Sequence, residues 1–313
     1  MSYIRQICLI SPESVDRFIN KMTKPEHMKH LIDLKDLTEK EILKIIDLGI
    51  KIKKNKKKYS NILKNKTLAM LFEKNSTRTR CSFEAGMNLL GGHAMFLDWK
   101  TTQLNKASLK DEIKCIARYV DIVMARVYKQ ETLEEMAKYS TVPVINALSD
   151  KSHPCQILAD LMTIKEKFGK LKGLKLAYLG DGNNVCNSLI IGCQKVGINI
   201  SVASPKGYGP SEKPDLLTNN PKEAVKDADV IYTDTWVSMG KENEADKRLK
   251  IFPAYKVTKQ LLGNALFMHC LPAHRGNEMT DEVIDSKQSI VFDQAENRMW
   301  AQNALMLVLL NKK

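Results

Sequence analysis

Short apolar strand patterns alternate with helical patterns along most of this chain. The strand patterns lie at residues 66–73, 93–98, 121–127, 142–147, 174–180, 198–205, 229–235, 266–272 and 289–294. Apolar residues at helical spacing fill many of the intervals, as at 37–54, 108–120, 132–140 and 184–196, and a last helix covers 296–310. Parallel strands need crossover connections of this kind, so the alternation predicts βαβ units with parallel sheets.

A long helical pattern at residues 153–169 divides the strands into two sets. A chain of 313 residues is long enough to form two hydrophobic cores. We therefore predict an α/β fold of two doubly wound domains, with mainly parallel sheets, joined by this long helix. The predicted domains are residues 1–152, on which the C-terminal helix 294–313 packs, and residues 153–293.

The composition is that of a soluble globular protein, with 43% apolar and 27% charged residues. No apolar run approaches the roughly 18 residues of a membrane helix, and the first residues lack a convincing signal peptide. We therefore expect a cytoplasmic protein that does not bind membranes. The seven cysteines are scattered without a C-x-x-C pair, which is typical of reduced thiols.

Much of the formal net charge of +13 comes from residues 51–66, which hold eight lysines. Such a run can form a nucleic-acid-binding patch, or it can be a solvated helix end and loop. Base stacking needs aromatic side chains, and only Tyr59 lies within the run. We therefore favour the solvated helix end and expect no nucleic-acid partner.

The segment STRTR, residues 76–80, follows a predicted strand and opens a predicted helix. Backbone N–H groups are unpaired at a helix start, and the helix dipole is positive there. Together with the hydroxyl groups and the guanidinium of Arg78, these N–H groups could form an anion cradle suited to phosphate. Hydroxyl residues also cap helices that bind no ligand, so the segment alone leaves both interpretations open.

Polar residues follow later strands as well. Pro154 suits the first position of a helix, which places His153 at its cap and Gln156 about one turn later. These two side chains could donate to one carbonyl group, or the histidine could simply cap the helix. Asp234 ends a strand, where it could hold an ammonium group or cap its own loop. Arg298 begins the last helix, where its charge opposes the helix dipole, and this suggests an anion nearby.

Two further motifs argue against a cofactor and a metal ion. The segment GDGNNVCNS, residues 180–188, differs from a dinucleotide fingerprint because Val185 replaces its last glycine and no acidic residue ends the next strand. Its asparagines suit a zwitterionic ligand instead. The segment HCLPAHRG, residues 269–276, has two histidines and one cysteine at a spacing that matches no familiar closed zinc site. We therefore predict no cofactor and no metal.

The motifs STRTR, HPCQ, GDGNN, TDTWVSMG, HCLPAHRG and ENR occur in this order, and through them the chain resembles the ornithine carbamoyltransferases. The resemblance covers residues 31–310, nearly the whole chain. This family transfers the carbamoyl group of carbamoyl phosphate to the δ-amine of L-ornithine, giving L-citrulline and phosphate in arginine metabolism. It uses no metal and no organic cofactor. The resemblance implies the same activity here.

The resemblance also implies roles for individual residues. The carbamoyl phosphate site would comprise Ser76, Thr77, Arg78, Thr79, Gln103, Arg126, His153, Gln156, Cys270, Leu271 and Arg298. The ornithine site would comprise Asn184, Asp234, Ser238 and Met239. The catalytic residues would be Arg78, Arg126, His153, Asp234 and Cys270. The Leu271–Pro272 peptide bond would be cis, and Arg80, about 200° around the helix from Arg78, would contact a structural partner.

Members of this family form homotrimers in which a loop of the neighbouring subunit reaches each active site. The resemblance implies the same shared sites here, with Gln103 in the loop at residues 101–112. The family loop usually reads like QLGRGEPIKD, whereas this one lacks the glutamate and is one residue shorter. Residues 1–27 extend beyond the common start, and residues 204–225 are short for the helix usually found there.

Several alternatives stay open at this point. The acceptor could be another amine, such as putrescine or N-acetylornithine, although the Ser-Met-Gly loop after Asp234 favours a carboxylate-bearing acceptor. The altered loop at 103–111 could mark a catalytically weakened paralogue that only binds. An assembly beyond the trimer is also open. If the chain is an active carbamoyltransferase, whichever amine it uses, we expect carbamoyl phosphate to bind before the amine.

Overall fold

Nine strands form two parallel sheets in this computed structural model, which describes residues 30–238 and 241–312. The first sheet has the order β2-β1-β3-β4, where these strands are β1 (Thr67–Phe72), β2 (His93–Asp98), β3 (Ile122–Arg126) and β4 (Val144–Leu148). The second has the order β7-β6-β5-β8-β9, where these are β5 (Lys175–Leu179), β6 (Asn199–Ala203), β7 (Leu216–Thr218), β8 (Val230–Thr233) and β9 (Leu266–His269). Every pairing within both sheets is parallel, as predicted.

Helices connect the strands and cover the sheets. They are α1 (Glu39–Lys54), α2 (Lys56–Tyr59), α3 (Thr77–Leu89), α4 (Leu109–Ile116), α5 (Gln130–Tyr139), α6 (Pro154–Phe168), α7 (Asn184–Lys195), α8 (Pro221–Ala224), α9 (Ala245–Ile251), α10 (Lys259–Leu262), α11 (Asp281–Ile284) and α12 (Val291–Leu309). Short 3-10 helices lie at Leu34–Asp36, Trp99–Thr101, Glu242–Glu244 and Phe252–Tyr255. Among these elements of the described residues, no helix has both the length and the apolar character needed to cross a bilayer.

Helix α1 shows how the sequence sets one of these elements. Thr38 caps it, and the side chain of Glu41 accepts a hydrogen bond from the Thr38 backbone N–H at 2.9 Å, which completes a capping box. Its buried residues recur at helical spacing and form one face: Ile42, Ile45, Ile46, Gly49 and Ile52. This face packs against α6 and α12, so the first and last helices of the described chain share one core.

The long helix α6 lies between the two sheets in the chain. It begins at Pro154 and ends at Gly169, whose φ of 71° is the left-handed conformation that glycine adopts easily. The C-terminal helix α12 packs against α1, α3 and α6. The predicted architecture is therefore confirmed: two parallel α/β units, a long joining helix and a last helix that returns to the first unit.

One predicted strand is wrong. Residues 289–294 contain only an isolated bridge, from Ser289 to Phe267, and α12 already begins at Val291. The β-branched pair Ile290 and Val291 favoured a strand. However, buried residues recur at 290, 291, 294, 297 and 298, which is the spacing of one helix face, while Phe292 is exposed. Packing of this face against the core therefore outweighs the local strand preference.

Candidate active site

The STRTR segment begins a helix directly beyond the end of β1. Ser76 is the N-cap of α3, and its hydroxyl accepts a hydrogen bond from the Thr79 backbone N–H at 3.3 Å. The same hydroxyl donates to the Thr79 side chain at 3.0 Å, while Thr77 is exposed. Phe72, the last residue of β1, pairs with Arg126, the last residue of β3. The helix start therefore lies beside Arg126 at the carboxyl edge of the first sheet, where ligands bind in open α/β sheets.

Three arginines concentrate positive charge at this edge. Arg126 is buried, and its Nε has no hydrogen-bond partner within the described residues. Burial, together with the positive charges of Arg298 and Arg78, lowers the pKa of Arg126 to about 10. A positively charged group held among like charges is poorly stabilised until an anion arrives, so this cluster is suited to a phosphate.

The two arginines of STRTR have different surroundings. The charge of Arg78 acts on both Arg126 and His269. Arg80 instead donates from Nε to Glu84, 3.1 Å away on the same helix, and its guanidinium lies 3.9 Å from the centre of the Phe96 ring. The expectation that Arg80 contacts a structural partner is confirmed.

His153 is the N-cap residue of α6 and is buried close enough to Arg298 and Arg126 to be affected by their charges. Its backbone N–H donates to the Ser188 hydroxyl at 2.8 Å, and its Nδ1 has no partner within the described residues. Burial holds the pKa of His153 well below its ordinary value, and the charges of Arg298 and Arg126 lower it further. The imidazole is therefore neutral at physiological pH and can donate one N–H to a substrate oxygen.

The carboxamide of Gln156 has a defined orientation. Its Nε2 donates to Asp160 Oδ1 at 2.7 Å, and its Oε1 accepts from Arg298 Nη1. The sequence left open that Gln156 and His153 donate to the same carbonyl, or that the histidine only caps the helix. The structure instead directs one N–H of Gln156 to a buried carboxylate and presents its oxygen to Arg298, because only this orientation satisfies an acceptor on one side and a donor on the other.

Asp234 and Cys270 form a pair beyond the ends of β8 and β9. The Cys270 thiol donates to Asp234 Oδ1 at 2.9 Å, and Asn183 Nδ2 donates to Oδ2 at 2.7 Å. Burial and the neighbouring Asp234 carboxylate raise the pKa of Cys270 well above its ordinary value. The thiol is thus neutral, and since the thiolate is the nucleophilic form, the environment opposes covalent catalysis by this cysteine.

The adjacent asparagines of GDGNN differ in their contacts. Asn184, the predicted ornithine residue, donates from Nδ2 to the Ser149 carbonyl at 2.6 Å, which connects α7 to the loop after β4. Asn183 caps α7 by accepting from the backbone N–H groups of Val185 and Cys186, and it also binds Asp234. Sequence reasoning did not single out Asn183. Its place directly before a helical pattern was the available signal.

Three of the remaining predicted residues, Gln103, Ser238 and Leu271, lie on loops. Ser238 is partly exposed, and its carbonyl accepts from the Lys241 backbone N–H at 3.0 Å. Met239 lies outside the described residues, as do residues 1–27. The side chain of Gln103 is exposed to solvent in the isolated chain. Leu271 has a φ of 59°, and its bond to Pro272 is cis, as the resemblance implied.

One group of side chains has the spacing of a metal site within the described residues. Ligand atoms of Asp234, His269 and Cys270 lie within 4.8 Å of one another. However, His269 Nδ1 already accepts from the Leu271 backbone N–H at 2.9 Å, and the raised pKa of Cys270 opposes the thiolate that zinc requires. These donors therefore fit a zinc ion poorly, and the absence of a metal stays a prediction.

Two family models match almost the whole described chain. The model of the aspartate/ornithine carbamoyltransferase carbamoyl-P binding domain matches residues 29–166, and that of the Asp/Orn binding domain of the same family matches residues 172–309. The chain belongs to the aspartate/ornithine carbamoyltransferase family.

Individual relatives carry more specific names. The chain is 52% identical to an ornithine carbamoyltransferase of Methanocaldococcus jannaschii over 304 residues, which cover 91% of this chain and 100% of that protein. It is 50% identical to one of Pyrococcus furiosus named anabolic, over 90% of this chain and 96% of that protein. The solved Pyrococcus furiosus structure superposes with a TM-score of 0.86 at 49% identity, covering 91% of this chain and 97% of that one. An ornithine carbamoyltransferase from Thermus thermophilus gives 0.82 at 42% identity, with coverages of 90% and 98%.

Proposed function

We propose that this chain transfers the carbamoyl group of carbamoyl phosphate to the δ-amine of L-ornithine, giving L-citrulline and phosphate. The observation that carries the proposal is the arginine cluster, of which Arg126 and Arg298 are buried, with the neutral His153 beside it at the carboxyl edge of the first sheet. The Asp234–Cys270 pair at the edge of the second sheet supplies the opposite face. This arrangement suits a phosphorylated substrate on one side and an amine on the other.

The chemistry follows from these charges. In the reaction the δ-nitrogen forms a bond to the carbamoyl carbon, the bond between that carbon and the phosphate oxygen breaks, and the amine loses a proton, which the departing phosphate would accept. Arg78, Arg126 and the start of α3 would stabilise the departing phosphate, while His153 would donate its N–H to the carbamoyl oxygen. The neutral thiol of Cys270 is consistent with direct attack, in which alignment and preorganised charge supply the acceleration.

The amino acid is proposed to bind on the second unit. Asp234 and Cys270 would lie near the δ-amine, and Asn184 with the Ser238–Met239 loop would bind the α-amino and α-carboxylate groups. In this proposal, residues 1–152 with the C-terminal helix 294–313 form the carbamoyl phosphate domain, and residues 153–293 form the ornithine domain. Closure of one domain on the other would exclude water from carbamoyl phosphate, with carbamoyl phosphate bound first.

We further propose a homotrimer in the cytoplasm that acts in arginine biosynthesis. The name anabolic, given to the Pyrococcus furiosus relative, supports the biosynthetic direction. The exposure of Gln103 on the single subunit is compatible with a contact to a neighbouring active site. Measuring the mass of the assembly by light scattering tests the trimer, and mixing Gln103→Ala with Arg78→Ala subunits tests whether the sites are shared.

Colorimetric citrulline formation from carbamoyl phosphate and ornithine tests the activity itself. Arg78→Ala should lose about 3 kcal/mol of transition-state stabilisation, roughly 100-fold in rate, as does removal of a preorganised donor. Arg80→Ala, two residues along the same helix, and Lys57→Ala in the lysine run should be almost unchanged. Equal losses for Arg78→Ala and Arg80→Ala would contradict the assigned site. A faster reaction with putrescine or N-acetylornithine than with ornithine would identify that amine as the acceptor. Binding of carbamoyl phosphate without turnover would indicate a catalytically weakened paralogue.

A further inference from the structure

Asp160 is a fully buried carboxylate at the middle of α6, one turn beyond Gln156. Its Oδ1 accepts from Gln156 Nε2 at 2.7 Å and from Gln294 Nε2 at 2.8 Å, and its Oδ2 accepts from the Tyr232 hydroxyl at 3.0 Å. These donors come from three elements, α6, α12 and β8. The carboxylate therefore lies where the joining helix, the last helix and the second sheet meet.

The carboxylate fixes the orientation of both carboxamides. A carboxylate can only accept, so each amide must direct its nitrogen toward Asp160 and its oxygen away. The oxygen of Gln156 then accepts from Arg298 Nη1, and the oxygen of Gln294 accepts from the His269 backbone N–H at 3.0 Å. His269 ends β9, and its Nδ1 accepts from the Leu271 backbone N–H. One buried acceptor is thus connected through two amides to Arg298 and to the segment 269–271.

We propose that Asp160 is a positioning residue for the carbamoyl group, acting through Gln156 on Arg298 and through Gln294 on the backbone at residues 269–271. This inference rests on the proposed function, because Arg298, Cys270 and Leu271 belong to the proposed carbamoyl site. Asp160 contacts no substrate itself. It sets the direction in which the polar groups on two sides of that site point.

The energetics argue against a role in stability alone. Burial raises the pKa of Asp160 to about 7, although its three hydrogen bonds and the charge of Arg298 lower it. The ionised form is therefore unfavourable in this position. An apolar residue of similar volume would avoid that cost, although it would leave the buried donors of Gln156, Gln294 and Tyr232 without this acceptor. The carboxylate of Asp160 gives the amides of Gln156 and Gln294 a common acceptor. Its presence is therefore explained by the orientation that it imposes on these two side chains.

Matched variants separate positioning from stability. Asp160→Leu keeps most of the volume but removes the acceptor, so we expect kcat to fall on the order of 100-fold, as for a small misplacement of catalytic groups, with weaker carbamoyl phosphate binding. Asp160→Asn should restore most of both, because its oxygen can still accept from both amides while its nitrogen lies toward Tyr232. Thr163→Val is the control: Thr163 lies on the same helix and accepts from Asn297 of α12 at 2.9 Å, outside these connections.

Two measurements decide the inference, and each variant is first compared with the wild type by circular dichroism. Calorimetric affinity for carbamoyl phosphate is independent of turnover, so it decides the inference even if no citrulline forms and the proposed acceptor fails. The inference is overturned if Asp160→Leu has the same carbamoyl phosphate affinity and the same kcat as Thr163→Val. It is also overturned if Asp160→Asn is as impaired as Asp160→Leu. If Asp160→Leu does not fold, Gln294→Met should weaken binding and lower kcat, because it removes the connection to His269 together with the bonds of Gln294 to Asp160 and Tyr232 and leaves the Gln156–Arg298 connection in place. An unimpaired Gln294→Met overturns the inference.

Discussion

Replacing Arg126 by methionine should make the substrate-free protein more stable and nearly inactive. The guanidinium is buried, no hydrogen bond of its side chain is found within the described residues, and its nearest charged influences are two further arginines. Methionine keeps the apolar stem and removes the charge. A residue that stabilised the fold would show the opposite effect on stability, so the sign of the change is informative.

The magnitude follows from the pKa. A decrease from the ordinary arginine value of 12.5 to about 10 corresponds to about 3 kcal/mol of unfavourable interaction with the charged form. A folded-state pKa below the unfolded one destabilises the protein at every pH below the folded value, so this cost is fully present at neutral pH. Arg126→Met should therefore raise the free energy of unfolding by up to about 3 kcal/mol, while kcat/KM falls by about 100-fold or more.

Denaturant unfolding with and without carbamoyl phosphate measures both effects. Saturating ligand stabilises a protein by about 3 kcal/mol at 100 times its Kd, and Arg126→Met should lose most of this gain. The control is Arg248→Met. Arg248 is equally buried, but its Nη1 contacts Asp181 Oδ2 at 2.9 Å and its Nε contacts Glu244 Oε2 at 2.8 Å. Its removal leaves the buried Asp181 carboxylate with only the more distant Lys241, 3.9 Å away, and should destabilise the protein by about 3 kcal/mol.

The reasoning is refuted if Arg126→Met destabilises the protein as Arg248→Met does, or if carbamoyl phosphate still stabilises it fully. The first result would mean that Arg126 has stabilising partners in the folded protein. The second would mean that the anion binds elsewhere.

Two further predictions concern the second unit and the joining helix. Gly182→Ala would place a Cβ 2.1 Å from the Pro210 backbone nitrogen, so the loop before α7 must move and the KM for ornithine should rise. Gly209→Ala is the control, because its Cβ would make only an ordinary contact, 3.9 Å from Leu217 Cδ2, and equal KM values in the two variants would contradict this prediction. The wild-type protein should lose about 3 kcal/mol of unfolding free energy as the pH rises from about 5 to about 8, because the raised pKa of Asp160 makes ionisation of its carboxyl unfavourable in the folded state. Asp160→Asn should not show this loss. Parallel pH dependences of unfolding in the two proteins would rule this out.

The main elements were predictable because their signals are local. Strand β2 occupies residues 93–98 as predicted, and α1 begins after the Thr38 cap that its sequence indicates. The polar segments after the strands were also predictable, since parallel strands place their carboxyl ends at one edge. The start of α12 was not, because the β-branched pair at 290 and 291 prefers a strand locally while distant packing selects the helix.

The connections within the site depend on contacts that no local pattern records. Asp160 and Gln294 are separated by 134 positions in the chain, and their hydrogen bond exists only because α6 and α12 pack together. Of the two asparagines in GDGNN, sequence comparison with the family selected Asn184, whereas Asn183 binds Asp234. Which of two adjacent identical residues turns inward is decided by helix geometry, and a one-residue difference at a helix start changes the direction by about 100°.

The charges of the site account for the expected order of binding. Without substrate, Arg78, Arg126 and Arg298 hold positive charge together, and this charge lowers the pKa of both Arg126 and His153. An ornithine side chain carries an ammonium group at neutral pH and meets the same opposition, since like charges in a buried site repel strongly. We expect carbamoyl phosphate to neutralise part of this charge when it binds. The Asp234 carboxylate can then attract the ammonium group, so the anion prepares the site for the amine and the reverse order is unfavourable.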